Sequence, residues 1–290
     1  MSLAPASIPQ PARMPWERIV LFGSLLVLCY APVLSALARQ WYHDEDMGHG
    51  FFVPVVAVYI AWQRREELLR IVPRPNWWGL ALVVFGAAQS YAAMLGAELF
   101  LGRTAFIVSL TGMVWFLGGT AVLRLLGFPL FLLLFMVPIP AIVYGKITFP
   151  LQLLASRLAD AALMGMGVPV LREGNILELA NQRLSVVEAC SGIRSLLSLT
   201  FLSVVYGHFL ERRRWLQVVL FLATLPIAIC ANAGRVTVTG LLSQFKPELA
   251  DGFFHTASGW VIFMAALFIL VVFHRAVLGM LKLAARAWAK

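Results

Sequence analysis

The sequence predicts an all-α polytopic membrane protein. Hydrophobic residues make up 61% of the 290 residues and the mean hydropathy is +0.84, whereas about half of the residues in a soluble domain are apolar. Apolar runs of about 20 residues recur along the chain, the length of a helix that crosses a bilayer. We predict about eight transmembrane helices in one integral membrane domain, residues 1–290, with a short periplasmic hairpin and an interfacial helix before the sixth.

The distribution of charge predicts the orientation. The segments assigned to the cytoplasm hold 14 of the 23 Lys and Arg residues but only 4 of the 14 acidic residues. Because positive residues collect on the cytoplasmic side of membrane proteins, both termini are expected there. The net charge of +9 is then explained by orientation, and we expect a lipid bilayer as partner and no nucleic acid. The cytoplasmic segments are residues 1–18, 63–76, 124, 211–214 and 274–290.

Each predicted span is an apolar run with recognisable ends. The proline-rich residues 1–18 are predicted to be a flexible N-terminus, and the first run is longer than a signal-peptide core, which favours an uncleaved anchor. Arg124 is predicted to mark a tight inner turn between the fourth and fifth spans. Pro138-Ile-Pro140 interrupts the fifth, because proline cannot continue a helix without losing a hydrogen bond. The spans are residues 19–38, 51–62, 77–95, 104–122, 125–137, 190–210, 215–235 and 255–273.

Residues 138–189 are predicted to be a periplasmic insertion. Within it, Phe149–Met166 carries polar residues on one helical face and Leu and Ala on the other, which is typical of a helix lying in the membrane interface. A transmembrane helix with a polar stripe against its neighbours is the alternative. Leu171–Leu179 and Arg183–Glu188 are predicted to pair as a hairpin. Residues 274–290 are predicted to be a basic cytoplasmic tail.

Cys190 lies where an extended segment turns into a membrane-length helix. Ser191 and Gly192 suit a tight turn and a helix start, and the positive end of a helix favours a thiolate. Arg194 adds positive charge one turn on. Cys190 is therefore a candidate nucleophile, with a small apolar residue packed at a helix end as the alternative.

Nothing in the sequence predicts a metal site or a cofactor. The other two cysteines, Cys29 and Cys230, lie inside apolar runs and form neither a disulfide framework nor a set of metal ligands. Nucleotide-binding and zinc-protease motifs are absent from the sequence. We therefore expect a site built from side chains alone.

The predicted topology brings three reactive residue types to the outer face of the membrane. Cys190 begins the sixth span there, Arg235 lies about 30 Å along the seventh, and His255 begins the eighth. A Cys thiolate can attack a peptide carbonyl, an arginine can stabilise the oxyanion, and a histidine can move the proton. Simple packing for Cys190, a membrane anchor for Arg235 and an interfacial polar residue for His255 are the alternatives.

These motifs, taken in order along the chain, resemble the signature of the exosortase/archaeosortase family. The resemblance covers about residues 45–275 and rests on a cysteine motif, an Asn-x-x-Arg motif and a histidine at the start of the last span, together with two landmarks earlier in the chain. They are Ala189-Cys190-Ser191-Gly192, Asn232-Ala233-Gly234-Arg235 and His255, with His49-Gly50 and Pro138-Ile-Pro140 as the landmarks.

The resemblance implies a membrane-embedded cysteine transpeptidase or protease. Family members cut a C-terminal tripartite signal, which is a short motif such as Pro-Glu-Pro, a membrane helix and a basic run, on membrane-anchored substrates. By resemblance, Cys190 is the nucleophile, Arg235 the transition-state arginine and His255 the proton-transfer residue. A stand-alone form without a fused periplasmic domain, in a bacterial inner membrane with its site facing the periplasm, is expected. The acceptor of the acyl group is not identified by the sequence.

Several residues are predicted to have supporting roles. Asn232 lies three residues before Arg235 on the same helical face and is expected to orient it or to bind substrate. Glu188 and Arg194 are expected near the site, whereas His43 and His49 lie in an outer loop. The alternative function is a non-catalytic scaffold or a transporter linked to exopolysaccharide export. A transporter is disfavoured because the middles of the spans are nearly free of charge.

Overall fold

The structure, a computed structural model, describes residues 16–180, 183–186, 193–245 and 253–288. Within these ranges the side chains of residues 45, 245 and 253–258 are not described. The chain folds as two compact units that divide between Ile139 and Pro140. Each unit is considered by itself.

The first unit contains six α-helices and two 3₁₀ segments among its described residues. The helices are α1 Trp16–Cys29, α2 Ala31–His43, α3 Phe52–Gln63, α4 Arg65–Arg70, α5 Trp77–Leu95 and α6 Leu99–Leu132, and the 3₁₀ segments are Glu45–Phe51 and Leu133–Met136.

The second unit contains four helices and a small sheet among its described residues. In chain order these are α7 Ala141–Gly165, β1 Val170–Glu173, β2 Ile176–Leu179, β3 Arg183–Ser185, α8 Ile193–Leu210, α9 Arg214–Phe245 and α10 Phe253–Trp288.

The lengths and hydropathies of the helices agree with a polytopic membrane protein. Five helical segments in the described ranges are long and apolar enough to cross a bilayer, or six if the bent pair α1 and α2 is one span. The predicted second span is α3, which has only 12 residues, about 18 Å. The predicted fourth and fifth spans lie in one helical segment, Leu99–Met136. The all-α polytopic class is therefore supported, whereas the number eight stays a prediction.

The predicted first span is bent by 68° between α1 and α2. Pro32 lies at the start of α2 and has no N–H to donate to the preceding turn, which weakens the helix at the bend. Tyr30, between the two helices, has its hydroxyl 3.2 Å from the Gly86 carbonyl oxygen and 2.9 Å from Ser109 Oγ. The bend therefore coincides with a buried hydrogen-bonded contact to α5 and α6.

The break within α6 lies at Gly119 and not at Arg124. Gly119 has φ 78° and ψ −177°, a conformation that residues with a Cβ rarely adopt. A Cβ at this position would lie 2.1 Å from the carbonyl oxygen of Arg74, so the chain also leaves no room for a side chain. The predicted tight turn at Arg124 is wrong, since Arg124 is helical.

The predicted hairpin is a three-stranded antiparallel sheet in the order β1-β2-β3. The predicted single strand Leu171–Leu179 is corrected to two strands joined at Gly174-Asn175. Gly174 has φ 65°, and glycine at the first position of a two-residue loop is typical of a type II′ hairpin turn. The β2–β3 pairing places Leu177 opposite Leu184.

The sheet packs on α7 and α9 through one apolar cluster. Alternating residues of the strands point into it, as expected for a strand with one buried face. Helix α7 begins at Ala141, earlier than the predicted Phe149, and its polar Gln152 and Ser156 are buried. Ser156 Oγ donates to the Gly174 carbonyl at 2.9 Å, so part of the polar face contacts protein. The cluster contains Ala155, Ala159, Leu163, Leu177, Leu179, Leu184, Val186 and Val236.

Helices α9 and α10 extend well beyond the predicted spans. The seventh span was predicted to end at Arg235, but α9 continues to Phe245. The eighth was predicted to end at residue 273, but α10 continues to Trp288. In both cases the prediction ends the helix at or next to a charged or titratable residue, Arg235 or His274. An isolated cation is tolerated inside a helix when its charged group reaches neighbouring polar groups or the membrane interface.

A buried polar network joins α8, α9 and α10 at one end. Tyr206 Oη lies 2.9 Å from His274 Nδ1, and His274 Nε2 lies 3.4 Å from Glu211 Oε2. The Arg213 amide donates to Glu211 Oε1 at 2.8 Å, and Gln217 Nε2 donates to the Glu211 carbonyl at 2.7 Å. Only 8% of Glu211 and 3% of His274 are exposed.

The charged form of Glu211 is favoured by this network. Its pKa is lowered below the ordinary value for glutamate, mainly by the hydrogen bond from the Arg213 amide and also by His274, against the opposing effect of burial. A carboxylate whose folded-state pKa is lowered contributes stability above its unfolded pKa, and the contribution is lost as pH falls through the folded pKa.

We expect Glu211→Gln to destabilise the protein at pH 7 by about 1.5–3 kcal/mol, the range for a hydrogen bond to a charged group. The penalty should shrink as pH falls below the ordinary glutamate pKa and then through the lowered folded-state pKa, because the unfolded and then the folded wild-type carboxylate become protonated. Thermal unfolding of purified protein in detergent measures both effects. The same change at exposed Glu173 is the matched control, and equal unfolding temperatures for the two variants at pH 7 would contradict the prediction.

Candidate active site

Arg235 of α9 lies against α10. A Cβ placed on Gly259 would lie 3.4 Å from both Cζ and Nη2 of Arg235. The Arg235 side chain is partly buried, and its Nε is fully shielded from solvent. The guanidinium is therefore held between two helices, at a position where a residue of α10 has no side chain.

Position 255 lies one helical turn before Gly259. His255 is the third residue of α10, and residues four apart share a helical face. The backbone of α10 thus brings position 255 to the face that the Arg235 guanidinium contacts. The side chain of His255 lies outside the described side chains.

Cys190 and Glu188 lie outside the described residues, but the chain on both sides of Cys190 is described. Val186 is fully buried in the same apolar cluster as Val236, the residue after Arg235. Ile193, three residues after Cys190, is also fully buried. The described residues that precede and follow this segment of the chain are therefore both buried in the second unit.

Asn232 and Arg194 occupy different environments. Asn232 is 6% exposed and lies one turn before Arg235 on α9, where it lines a small cavity between α7, α8 and α9. Arg194 is the second residue of α8 and is exposed. The supporting roles of both residues stay predictions, and burial in a cavity wall makes Asn232 the stronger candidate.

The two histidines of the predicted outer loop belong to the first unit. His43 ends α2 and is exposed, with its ring 5.1 Å from that of Tyr42. His49 is partly buried in the 3₁₀ segment Glu45–Phe51. Burial lowers the pKa of His49, despite opposing hydrogen bonds to the backbone of Phe135 and Asp46, so this imidazole is neutral at pH 7. A structural role in holding the 3₁₀ segment explains these contacts.

Gly259 was not singled out from the sequence. The visible signal was the small residue in Ser258-Gly259, one turn after His255, since glycine on a membrane helix permits close approach of a neighbouring group. Over residues 16–180, 183–186, 193–245 and 253–288 there is no group of three metal-ligating side chains. The chemistry that the described arrangement supports is charge stabilisation by a guanidinium that lies one helical turn from position 255.

Comparison with known proteins identifies a family. A family model described as transmembrane exosortase matches residues 41–272. No curated protein matches the chain, and no solved structure matches it.

We expect Gly259→Leu to displace the Arg235 guanidinium, because the new side chain would occupy the space that it fills. Overpacking of this kind costs about 1–3 kcal/mol, which lowers the thermal unfolding temperature in detergent. Gly279→Leu on the same helix is the matched control, since a Cβ there has no neighbour within 4 Å among the described residues. Equal unfolding temperatures for the two variants would show that α10 does not confine Arg235.

Proposed function

The chain belongs to the transmembrane exosortase family, and from this premise we propose that it is a membrane cysteine transpeptidase. Its substrates are exported proteins that carry a C-terminal sorting signal composed of a short motif, a membrane helix and a basic run. It cleaves them next to the short motif, on the periplasmic side of a bacterial inner membrane. Family membership suggests a membrane sorting transpeptidase, and the identity of the reacting residues is our proposal.

The contact of Arg235 with Gly259 is the observation that carries the proposal. It holds the Arg235 guanidinium of α9 one helical turn from position 255 of α10. Cys190 precedes α8, the helix before α9. An anchoring arginine at the membrane surface would instead extend its side chain toward lipid headgroups. A partly buried cation fixed against a second helix favours a role in charge stabilisation.

In the proposed first step, the Cys190 thiolate attacks the carbonyl carbon of the scissile peptide bond. Negative charge develops on the carbonyl oxygen, and the Arg235 guanidinium stabilises it. The C–N bond then breaks, and the imidazolium of His255 gives its proton to the departing amine. The products are a thioester between Cys190 and the substrate body, and a free membrane tail with a new amino terminus.

In the second step an acceptor amine attacks the thioester. Neutral His255 takes a proton from the amine, the C–S bond breaks, and the Cys190 thiolate is regenerated. The substrate body is released with a new amide bond at its C-terminus. Water in place of the amine would give hydrolysis. We favour transpeptidation on the basis of the family alone.

The proposed orientation requires an odd number of spans before Cys190. Five spans precede it in the eight-span topology, so a cytoplasmic N-terminus puts Cys190 on the outer side. Four would precede it if α3 crosses the membrane and the segment Leu99–Met136 crosses only once, and Cys190 would then face the cytoplasm.

We expect Cys190→Ala and Arg235→Ala each to abolish processing of a tailed reporter. Removal of the nucleophile ends covalent catalysis, and loss of an oxyanion contact costs on the order of 10²–10³ in rate. Immunoblots of cells that export the reporter should show full-length protein accumulating. Matched controls are Cys230→Ala, which alters a free exposed cysteine, and Arg212→Ala, which removes an exposed arginine. Both control variants should process the reporter at the wild-type level.

The same experiment separates an enzyme from a scaffold. A scaffold for exopolysaccharide export needs no thiol at position 190. Normal processing by Cys190→Ala would refute the thiol mechanism, and normal processing by Arg235→Ala alone would reduce Arg235 to a membrane anchor.

A further inference from the structure

Strand β3 is an edge of the small sheet in the second unit. The strand order is β1-β2-β3, so β3 pairs with β2 on one side only. The other edge, β1, lies beside α7, where Arg172 Nε is 3.7 Å from Asp160 Oδ2. An edge strand presents unpaired N–H and C=O groups that can bind a further extended chain.

The pairing register shows which backbone groups of β3 face outward. The Val186 amide donates to the Asn175 carbonyl at 3.0 Å, and Leu184 lies opposite Leu177. Alternate residues of a strand direct their backbone groups to opposite sides. Leu184 and Val186 therefore bond toward β2, whereas Arg183 and Ser185 direct their N–H and C=O groups away from it. Among the described residues, these outward groups have no hydrogen-bond partner.

The inner face of β3 is held rigidly. Leu184 is 5% exposed and Val186 is fully buried, both within the apolar cluster that joins the sheet to α7 and α9. The side chain of Arg183 is 65% exposed and pairs with Glu178 of β2, so it does not turn toward the outer edge. A fixed strand with an open edge is the surface that strand addition requires.

The position of β3 in the chain indicates what the edge binds. Cys190 follows β3 after only four residues, and the membrane helix α8 begins three residues after Cys190. A substrate of the proposed function has the same order, in which an extended motif is followed by the scissile bond and then by a membrane helix. In this order along the chain, the motif of the substrate corresponds to β3, its scissile bond to Cys190 and its membrane helix to α8.

We propose that the extended motif of the substrate adds to the outer edge of β3 as a parallel fourth strand. This inference rests on the proposed function and names the binding surface for that substrate. The N–H and C=O groups of Arg183 and Ser185 bond to its backbone. Affinity comes from main-chain hydrogen bonds, which tolerate varied side chains, and the membrane helix of the substrate follows α8 into the bilayer.

Disulfide trapping tests the proposal directly. Ser185→Cys is introduced into protein that also carries Cys190→Ala, Cys29→Ser and Cys230→Ser, so that one thiol remains and no cleavage occurs. The probe is an exported reporter that ends in Pro-Glu-Pro, a membrane helix and a basic run, with a single cysteine moved through each position before the helix. An added strand should give disulfides at every second position, because neighbouring side chains alternate between faces.

The control edge is β1, where Val170→Cys should give no disulfide above background. Three results would overturn the proposal. They are disulfides from Ser185→Cys to consecutive reporter positions, no disulfide from Ser185→Cys, and stronger trapping by Val170→Cys than by Ser185→Cys. Processing of the unmodified reporter by the wild-type protein is measured separately. Processing without alternating disulfides contradicts the edge alone, whereas alternating disulfides without processing contradict the proposed function.

A proline substitution gives a kinetic test. Ser185→Pro removes one outward N–H and leaves the bonds to β2, and proline is tolerated at such edge positions. We expect kcat/KM for the reporter to fall about 5-fold or more, with a thermal unfolding temperature close to that of the matched variant Val170→Pro, which should process the reporter normally. Equal kcat/KM for the two proline variants would overturn the proposal.

Discussion

The Arg235 guanidinium of α9 lies beside Gly259 of α10, and the candidate site depends on this close approach of the two helices. A cation in an apolar helix bundle is costly unless polar groups surround it. A side chain on Gly259 would occupy the space beside the guanidinium. The absence of that side chain lets one helix hold the charge of another, a turn away from position 255.

A different kind of contact joins α8, α9 and α10 farther along these helices. Glu211, His274 and Tyr206 form a buried hydrogen-bonded chain between the end of α8 and α10, and Gln217 of α9 bonds to the same turn. Helices α9 and α10, which meet both in this network and where Arg235 lies beside Gly259, have little freedom to slide past each other. A catalytic arrangement needs such rigidity, because misplacement of a reacting group by about 1 Å costs on the order of 10² in rate.

The fold class could be predicted from the sequence because hydropathy and helix length are properties of local composition. The predicted helix ends were less accurate than the predicted fold class. The predicted spans end at Arg235 and just before His274, yet both residues lie inside helices, where tertiary contacts accommodate them. The break at Gly119 and the turn at Gly174-Asn175 depend on positive φ values. The Gly-Asn dipeptide is a turn signal in the sequence. The charge of Arg124 predicted a turn at the wrong position, five residues after Gly119.

The site was predicted less completely than the fold. Residue types and spacing identified Cys190, Arg235 and His255 as candidates, because reactive residues at the ends of apolar spans are few. The role of Gly259 in making room for the Arg235 guanidinium could not be predicted. The close approach of two helices depends on how they pack and not on the sequence of either helix alone. The free edge of β3 likewise follows only from strand order and register, which a hairpin prediction with two strands did not provide.

Intact mass spectrometry of the acid-quenched reaction tests the central claim most directly. Purified protein is mixed with a tailed reporter and stopped within one turnover. A thioester mechanism predicts protein carrying the mass of the cleaved reporter body, an adduct that hydroxylamine removes and that Cys190→Ala does not form. His255→Ala should form it more slowly. Cleavage of the reporter by Cys190→Ala, or an adduct on another residue, would contradict the account.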